Sequence, residues 1–475
     1  MPFDAASLRA VVIVAALVAC SAPQSSVSAP SESSRSAPVE PSAPARPERP
    51  LPPLVANPFT AALASGNATL LAELEAVYKD LHRHPELSMH EVRTAKIAAD
   101  WSERFGYQVT RNVGKTGVVG VLRNGAGPTV MLRADMDALP MTEATGLPYA
   151  STEKVTDDSG ATVGVFHGCG HDMHVTWLMG AARVLSEHRD LWHGTALVVF
   201  QPGEEVGLGA ESMMQDKMAE RFPKPDIIFG QHVMVGAAGT VGHRSGVILS
   251  AGDSLQVKLF GRGSHGSQPQ TAIDPVVMAA ATTLRLQTIV SREVSPLDSA
   301  VLTVGALQAG TKENIIPDEA ILKLNVRTYD EDVRKHVLAS VRRIVNAEAQ
   351  ASGAEKPPEF TNLSSYPLTE NDAPSSERVA KAFQAQFGER AFETPPASAS
   401  EDFSVFGRKW GAPYVFWIVG GTAPAVYAEA KRTHTVNALP SNHSTKFAPV
   451  LHPTLETGLE AMLTAAAAWL CPPAP

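Results

Sequence analysis

The pattern of apolar and polar positions changes its period near residue 250, and this change divides the chain into two kinds of structure. Before residue 250, runs with helical spacing alternate with short apolar runs of strand length. The helices predicted in this part are 70–81, 91–105 and 175–185, and the strands are 117–122, 129–133, 195–200 and 226–230. Helices that alternate with continuous apolar strands predict an α/β sheet covered on both faces.

After residue 250, apolar and polar residues alternate along the first strand, as in a sheet with one solvated face. The elements predicted next are a helix at 274–290, strands at 300–304 and 320–328, a helix at 331–350 and a strand at 359–364. This β-α-β-β-α-β order is typical of a small ferredoxin-like layer. From about residue 365 the mixed α/β pattern returns, with a buried strand at 413–419.

The two patterns predict a discontinuous larger domain with a smaller domain inserted into it. A chain of 475 residues exceeds the size of a single hydrophobic core, so at least two domains are expected. We predict an α/β domain with a mixed sheet over residues 58–250 and 365–475. The inserted α+β, ferredoxin-like satellite domain is predicted over residues 251–364.

The N-terminal residues 10–19 form an apolar run that is too short to cross a bilayer but has the length of a signal-peptide core. The residues that end this run, LVAC at 17–20, resemble a bacterial lipobox, in which the cysteine is lipidated. We therefore predict a lipoprotein signal peptide over 1–20, lipidation of Cys20 and export to the periplasmic side of a membrane in the cell envelope. The alternative is a buried strand with an ordinary cysteine. Residues 21–57 are dominated by Ser, Pro and Ala, which predicts a disordered linker.

Composition and charge exclude one class of partner. The 44% hydrophobic and 19% charged residues are ordinary for a globular protein, and the net charge of −9 argues against a nucleic acid partner. The only membrane contact expected is the N-terminal lipid anchor. Three cysteines are present, and with Cys20 lipidated a disulfide between Cys169 and Cys471 remains an alternative in an oxidising compartment.

Two short motifs carry candidate chemistry. Cys169 and His171 lie two residues apart in a glycine-punctuated turn, which can bring a thiolate and an imidazole onto one metal ion. Glu204 and Glu205 are adjacent carboxylates that can divide into one base and one metal ligand. Each motif also has an ordinary structural interpretation: a buried cysteine beside a core histidine, and a solvated helix start.

Further metal-ligand side chains follow predicted strands, where open α/β sheets place their ligands. Thiolate, imidazole and carboxylate ligands suited to zinc, manganese or a similar divalent ion are supplied by Cys169, His171, Glu205, His232 and His443. Five side chains exceed one tetrahedral site, which makes two metal ions with a bridging ligand plausible. A serine hydrolase is disfavoured because the sequence has no Gly-x-Ser-x-Gly nucleophile elbow.

The ordered set of motifs resembles the dinuclear-metal aminoacylase and carboxypeptidase superfamily. Within it, the chain is similar to the amidohydrolase branch that contains hippurate hydrolases and auxin-amino-acid conjugate hydrolases. The matching stretches, collinear over about 68–465, are 84–88, 133–140, 169–174, 202–205, 265–266, 314–317, 400–403 and His443. The resemblance implies a metallohydrolase catalytic domain with the satellite serving dimerisation, and two divalent ions (zinc or manganese, with cobalt or nickel as alternatives) held by the five ligands above.

The resemblance also implies roles for other residues. Glu204 matches the general base, and Asp137 matches an aspartate that orients a metal ligand. His265 resembles a satellite-domain histidine that stabilises the oxyanion in the partner's active site, which implies a homodimer. Asn314 and Arg327 resemble substrate-binding positions, with Arg327 suited to a free carboxylate. His265 as a surface loop residue, Asn314 as a turn former and Arg327 as a solvated strand residue remain the alternatives.

One departure from the superfamily concerns the metal ligands. The superfamily has a histidine ligand where this chain has Asp135, a difference shared by the amidohydrolase branch. The arrangement of ligands around the two ions therefore stays open at this stage.

The function predicted is hydrolysis of the amide bond in an N-acyl or N-aroyl amino acid, with Glu204 as base. A metallo-carboxypeptidase or dipeptidase acting on short peptides is the alternative, and a non-catalytic binding lipoprotein is a remote one. The sequence does not identify the residues that line the pocket for the acyl group, because Leu208, Met213, Trp410 and Phe416 can be pocket walls or core.

Overall fold

The computed structural model describes residues 57–471. The predicted signal peptide, the lipidation of Cys20 and, except for Asn57, the predicted linker therefore lie outside the described residues. The helices are α1 Phe59–Arg83, α2 Val92–Arg104, α3 His171–Glu187, α4 Gly209–Gln215, α5 Met218–Arg221, α6 Pro275–Thr288, α7 Glu331–Ala351, α8 Ala373–Phe387, α9 Ser404–Trp410, α10 Pro424–Arg432 and α11 Leu451–Leu470. Within the described part of the chain, no helix is both long enough and apolar enough to cross a membrane.

Within residues 57–471, the strands form two separate sheets and three small ribbons. In chain order they are β1 Gln108–Val113, β2 Gly117–Asn124, β3 Thr129–Asp135, β4 Lys154–Thr156, β5 Thr162–Gly164, β6 Gly194–Gln201, β7 Ile227–Ala237, β8 Val241–His243, β9 Gly246–Leu249, β10 Ala251–Phe260, β11 Ser264–His265, β12 Ala300–Ala309, β13 Ile315–Ile316, β14 Glu319–Thr328, β15 Glu359–Tyr366, β16 Thr369–Asn371, β17 Ala391–Glu393 and β18 Tyr414–Thr422.

The larger sheet has eight strands in the order β1-β2-β6-β3-β7-β18-β8-β17. Its central strands β6, β3, β7 and β18 are mutually parallel, so their carboxyl ends meet at one edge. One apolar core includes residues of α1, α3 and α11, and a second includes residues of α4 and α9. The sheet is therefore covered on both faces, which explains why 195–200 reads as a continuous apolar strand.

The smaller sheet has four antiparallel strands in the order β12-β14-β10-β15. Helices α6 and α7 pack on one face, where Leu255, Val257 and Leu259 are buried. The chain order β10-α6-β12-β14-α7-β15 is the ferredoxin-like arrangement, so the predicted fold class is confirmed. The domain boundaries and the dimerisation role of this layer stay predictions.

The chain enters and leaves the smaller sheet through two neighbouring segments. Before the chain enters the smaller sheet, β9 pairs with β16 on the side of the larger domain. Where the smaller sheet begins, Gly252 of β10 pairs with Tyr366 of β15. Residues 250–252 and 366–369 therefore run side by side between the two parts of the protein. This double crossing places Tyr366 where the smaller sheet meets the larger domain.

The first helix differs from its prediction. It begins at Phe59, well before the predicted 70–81. Phe59 is fully buried, and Asn57 Nδ2 donates to Thr464 Oγ1 of α11 at 2.9 Å, so tertiary contacts extend the helix. Residues 61–67 contain Ala, Ser, Gly and Asn, which weakens the apolar periodicity on which the prediction depended.

Candidate metal centre

The turn before α3 brings a thiol and an imidazole together. Gly170 precedes the helix with φ +86°, a left-handed conformation that favours glycine. A Cβ atom at Gly170 would lie only 2.5 Å from Val233 Cγ1, so the close approach also needs a glycine. Cys169 stands before this turn and His171 is the first residue of α3. Both side chains are buried.

Three parallel strands and one loop supply the other donors. Asp135 ends β3, Glu204 and Glu205 follow the end of β6, and His232 lies in β7. These strands are neighbours in the order β6-β3-β7, so their donors meet at one sheet edge. His443 reaches the edge from a late loop, where its backbone N–H donates to the Gly168 carbonyl at 2.8 Å.

Among the described residues, the candidate ligand atoms form four overlapping groups. In each group, the ligand atoms all lie within 4.8 Å of one another. The groups are Asp135 with His171, His174 and His232; Cys169 with Glu205 and His443; His171 with Glu204 and Glu205; and Glu204 with Glu401 and Asp402. The structure thus brings all five sequence-predicted ligands to one place.

Hydrogen bonds fix which ring nitrogen His232 and His174 present to the site. His232 Nδ1 donates to its neighbour's carbonyl, Val233 O, at 2.8 Å, so Nε2 keeps its lone pair and lies 3.5 Å from Cys169 Sγ. His174 is different, because Nε2 accepts from Val233 N at 2.9 Å and Nδ1 donates to Asp135 Oδ1 at 2.6 Å. His174 therefore supports Asp135 and has no nitrogen left for a metal ion.

Unpartnered buried atoms test whether this set fits metal ions. His171 Nε2 and Glu205 Oε1 are buried without a hydrogen-bond partner among the described residues. Leaving such atoms unpaired costs about 1–3 kcal/mol each, which metal coordination would offset. Glu205 Oε2 also lies 3.2 Å from His443 Nε2. A thiol, imidazoles and carboxylates with free lone pairs fit divalent ions.

Asp137 holds two of these ligands. Its Oδ2 accepts from Ser88 Oγ at 2.6 Å and from the Glu205 backbone N–H at 2.9 Å. Its Oδ1 lies 3.3 Å from His171 Nδ1. The carboxylate therefore orients His171 on one side and the Glu205 backbone on the other, the geometry expected of a residue that positions metal ligands.

Glu204 is a buried carboxyl with a perturbed protonation equilibrium. Burial is the largest cause that raises its pKa well above the usual value, and the neighbouring carboxylates of Glu401 and Glu205 raise it further. A positive metal charge nearby would act in the opposite direction. Glu204 is thus a carboxyl able to hold a proton inside the site.

A buried arginine, Arg133, balances the negative charge of the carboxylates behind Glu204. The sequence analysis predicted no role for it. Arg133 donates to Asp135 Oδ2 at 2.7 Å and to Glu401 Oε1 at 2.7 Å, and Nε donates to Gln201 Oε1 at 2.8 Å. Gln201 in turn donates to Asp402 Oδ1 at 2.6 Å. The motif stretches 133–140 and 400–403 contained these residues, but the sequence pattern did not indicate that they pair.

The three predicted satellite residues lie outside the ligand groups. His265 is exposed, and its Nδ1 accepts from Ser267 N at 3.1 Å. It lies in the ribbon of β11 and β13, where Gly266 N donates to Asn314 O at 2.8 Å, so His265 and Asn314 are neighbours. Arg327 Nη1 donates to Ser400 Oγ at 2.6 Å, next to Glu401. Their functional roles stay predictions.

The structure also distinguishes among the four residues that the sequence left open as pocket walls or core. Met213, Trp410 and Phe416 belong to the second core cluster of the larger domain. Leu208, by contrast, has an exposed fraction of 56%. Cys169 and Cys471 are both free and buried, so the structure holds no disulfide between them.

The fold and the donor set at the sheet edge together define a metal-dependent hydrolase. The chain belongs to peptidase family M20/M25/M40, whose profile matches residues 131–440. The hippurate hydrolase of Campylobacter jejuni is 38% identical over 351 residues, which cover 73% of this chain and 88% of that protein. The thermostable carboxypeptidase 2 of Saccharolobus solfataricus is 34% identical over 376 residues, covering 78% and 89% respectively.

A solved structure supports the same class. The Bacillus subtilis YXEP protein, a dinuclear metal binding peptidase of the M20 family, is similar with a TM-score of 0.65 and 28% sequence identity. The match covers 84% of this chain and 98% of that one. With the ligand groups above, this similarity supports a site for two divalent ions. The predicted family is confirmed.

Proposed function

We propose that the protein hydrolyses the amide bond of N-acyl or N-aroyl amino acids and releases the free amino acid. The observation that carries the proposal is the buried Glu204 carboxyl, set within 4.8 Å of ligand atoms of His171 and Glu205. The similarity to a hippurate hydrolase over most of both chains supports an N-aroyl amino acid as one substrate.

The residues divide the work of hydrolysis. When bound, divalent ions would polarise the amide carbonyl and lower the pKa of a water molecule. Glu204 accepts the proton of the attacking water at a carboxylate oxygen as the new C–O bond forms. It then delivers this proton to the amide nitrogen as the C–N bond breaks, leaving a carboxylic acid and an amine. Asp137 keeps His171 and Glu205 in place throughout.

The assay on metal-stripped protein tests this function. Hippurate and a panel of N-acyl amino acids would be offered before and after adding zinc, manganese or cobalt. We expect cleavage to return with metal, and Glu204→Gln to lower kcat by about 10²–10⁴-fold because the proton acceptor is lost. The exposed Glu220→Gln is the matched control and should keep full activity. Full activity in Glu204→Gln would refute the assigned role.

A carboxypeptidase is the second candidate, because the similarity to a thermostable carboxypeptidase is nearly as extensive. Short peptides offered beside N-acyl amino acids separate the two functions, and C-terminally amidated versions of both test the contact with the free carboxylate. Cleavage of peptides in preference to N-acyl amino acids would favour the carboxypeptidase. In both cases Arg327 is proposed to bind the free carboxylate, so the amidated substrates should be poorer.

For the metal ions we propose zinc or manganese, with cobalt or nickel as alternatives. Imidazole and thiolate ligands suit zinc, whereas the carboxylates also accept manganese. Metal analysis of the protein purified without added metal, together with the reconstitution series, would identify the ion that supports the highest kcat/KM.

We further propose a homodimer in which His265 acts in the partner's active site. His265 is exposed and lies outside the ligand groups, which fits a role across an interface. Mixing Glu204→Gln with His265→Ala tests this role, because random pairing would restore about a quarter of the wild-type activity through dimers with one intact site. No recovery from a mixture that has exchanged subunits would exclude it.

The proposed cellular location is the periplasmic side of a membrane, through lipidation of Cys20. The lipobox-like LVAC at 17–20 supports this location. Mass spectrometry of the mature N-terminus would detect the lipid on Cys20, and Cys20→Ala should release the protein from the membrane fraction. Recovery of an unprocessed N-terminus would rule out lipidation.

A further inference from the structure

Three side chains hold the backbone of the turn that carries Glu204. Each forms a hydrogen bond with one of three successive residues, 203–205. The Gly203 N–H donates to Glu91 Oε1 at 2.8 Å, and the Glu205 N–H donates to Asp137 Oδ2 at 2.9 Å. Between them, the Glu204 carbonyl accepts from the Tyr366 hydroxyl at 3.1 Å. The backbone on both sides of the base is thus held in position.

Tyr366 differs from the other two in its origin. Glu91 precedes α2, and Asp137 follows β3, so both belong to the larger domain. Tyr366 is the last residue of β15, where the smaller sheet ends. It pairs with Gly252 at the double crossing between the two parts of the protein. The smaller sheet therefore contacts the base's turn directly through this residue.

The turn is shaped to receive the Tyr366 ring. Gly207 has φ +65°, and a Cβ atom there would lie 3.0 Å from the ring carbon that bears the hydroxyl. Any larger residue would displace the ring. The Gly207 N–H also donates to the Glu204 carbonyl at 2.8 Å, so this oxygen accepts two hydrogen bonds. Burial raises the pKa of Tyr366, so the hydroxyl keeps its proton and donates.

We propose that Tyr366 is a positioning residue that couples the smaller sheet to the turn carrying Glu204 and Glu205. The inference rests on the proposed function for its kinetic consequence. Tyr366 acts through the Glu204 carbonyl and the Gly207 packing, and it leaves the proton transfer to the Glu204 carboxyl. A shift of the smaller sheet at the crossing would move the ring and, with it, the backbone of the base.

The experiment compares Tyr366→Phe with Tyr107→Phe in the full chain. Phenylalanine keeps the ring against Gly207 and removes only the hydroxyl donor. Tyr107 is the matched control, because its buried hydroxyl also donates to a backbone carbonyl, Ala182 O, at 3.0 Å, in the core of the larger domain. Both variants lose one neutral hydrogen bond to a carbonyl, so a purely structural effect would be similar in the two.

At saturating Mn²⁺, we expect Tyr366→Phe to lower kcat about threefold to tenfold with a nearly unchanged KM, whereas Tyr107→Phe keeps wild-type kcat. A shifted midpoint of the kcat against pH profile should accompany the loss. A second readout needs no substrate: the Mn²⁺ dissociation constant should rise severalfold in Tyr366→Phe only, because Glu205 lies in the same turn.

Each outcome decides one question. If wild-type protein cleaves no substrate on the panel, the proposed function fails, and the Mn²⁺ dissociation constants still test the coupling. Equal kcat and equal Mn²⁺ affinity in Tyr366→Phe and wild type would overturn the inference. Equal losses in Tyr366→Phe and Tyr107→Phe would also overturn it, because the effect would then be one of stability alone.

Discussion

Arg133 carries a buried positive charge among the carboxylates that surround the base. Its side chain is almost fully buried and pairs with Asp135, Glu401 and Asp402. Removing one partner of a buried ion pair leaves uncompensated charge, which costs about 3–5 kcal/mol. Arg133→Met, similar in length but uncharged, is therefore expected to lower the free energy of unfolding by that amount in urea titrations.

The control for this prediction is Arg432→Met. Arg432 pairs with Glu429 on the exposed surface of α10, where solvent screens the pair. Its urea midpoint should stay at the wild-type value. An Arg133→Met protein as stable as wild type would mean that the carboxylates behind Glu204 are protonated and need no counter-charge.

Cys169 gives a second prediction at the scale of the residue. Its Sγ lies near His232 Nε2 and belongs to one ligand group with Glu205 and His443. Serine is a much poorer ligand for zinc than a thiolate, so Cys169→Ser should weaken metal affinity by at least about tenfold. Chelator competition measures this change. The control Cys471→Ser, a buried cysteine outside the ligand groups, should bind metal as wild type does.

The candidate ligands were predictable because motif spacing and strand ends are visible in the sequence. Cys169 and His171 share one turn, and Glu204 and Glu205 are adjacent. Glu91 and Tyr366 were not predictable, because their contacts with Gly203 and Glu204 span 112 and 162 positions along the chain. Spacing carries no information about such contacts, and a buried polar side chain has the same sequence signature as an exposed one.

At the scale of the element, the start of α3 sets the geometry of the centre. Gly170→Ala would impose a left-handed backbone on alanine and place Cβ 2.5 Å from Val233 Cγ1. Backbone strain and overpacking together should lower the free energy of unfolding by about 2–5 kcal/mol. Because Cys169 and His171 flank this residue, metal affinity should fall as well. Urea titration and chelator competition on the same variant would measure both effects.

Gly353→Ala separates strain from packing. Gly353 also has a positive φ, +74°, but a Cβ atom there meets nothing within 4 Å. Gly353→Ala should therefore lower the free energy of unfolding only by the cost of backbone strain, about 1–2 kcal/mol, and should leave the metal affinity unchanged. If both variants lose the same stability and neither loses metal, the close approach of Gly170 to Val233 has no role in building the centre.

Long elements were predicted better than short strands. The strand at 359–364 and the helix at 331–350 appear as β15 and α7 within two residues of their predicted bounds. Short strands β8, β9, β16 and β17 were not predicted. They contain three or four residues each, too few to show a period, and their pairing partners come from distant segments.

At the scale of the whole molecule, His82 joins three segments behind the metal centre. This fully buried residue of α1 has Nδ1 2.6 Å from Asp172 Oδ2 of α3 and Nε2 3.2 Å from Glu143 Oε1 of the loop after β3. Burial alone would lower the pKa of His82, but Asp172 and Glu143 outweigh it and raise the pKa from 6.5 to about 9. The protonated imidazolium therefore links α1, α3 and the loop.

This raised pKa predicts how stability depends on pH. Because the folded protein binds the proton more tightly than the unfolded chain, the contribution of His82 is complete below pH 6.5 and is lost as pH rises through about 9. The contribution that disappears is about 3 kcal/mol.

In His82→Gln this contribution is absent, so the difference in free energy of unfolding from wild type should be large at pH 6 and should shrink by pH 10. Urea titrations at both values measure it, with the exposed His336→Gln as control. A difference between wild type and His82→Gln that is equal at pH 6 and pH 10 would mean that His82 is uncharged in the folded protein, and that its two carboxylate contacts are ordinary hydrogen bonds.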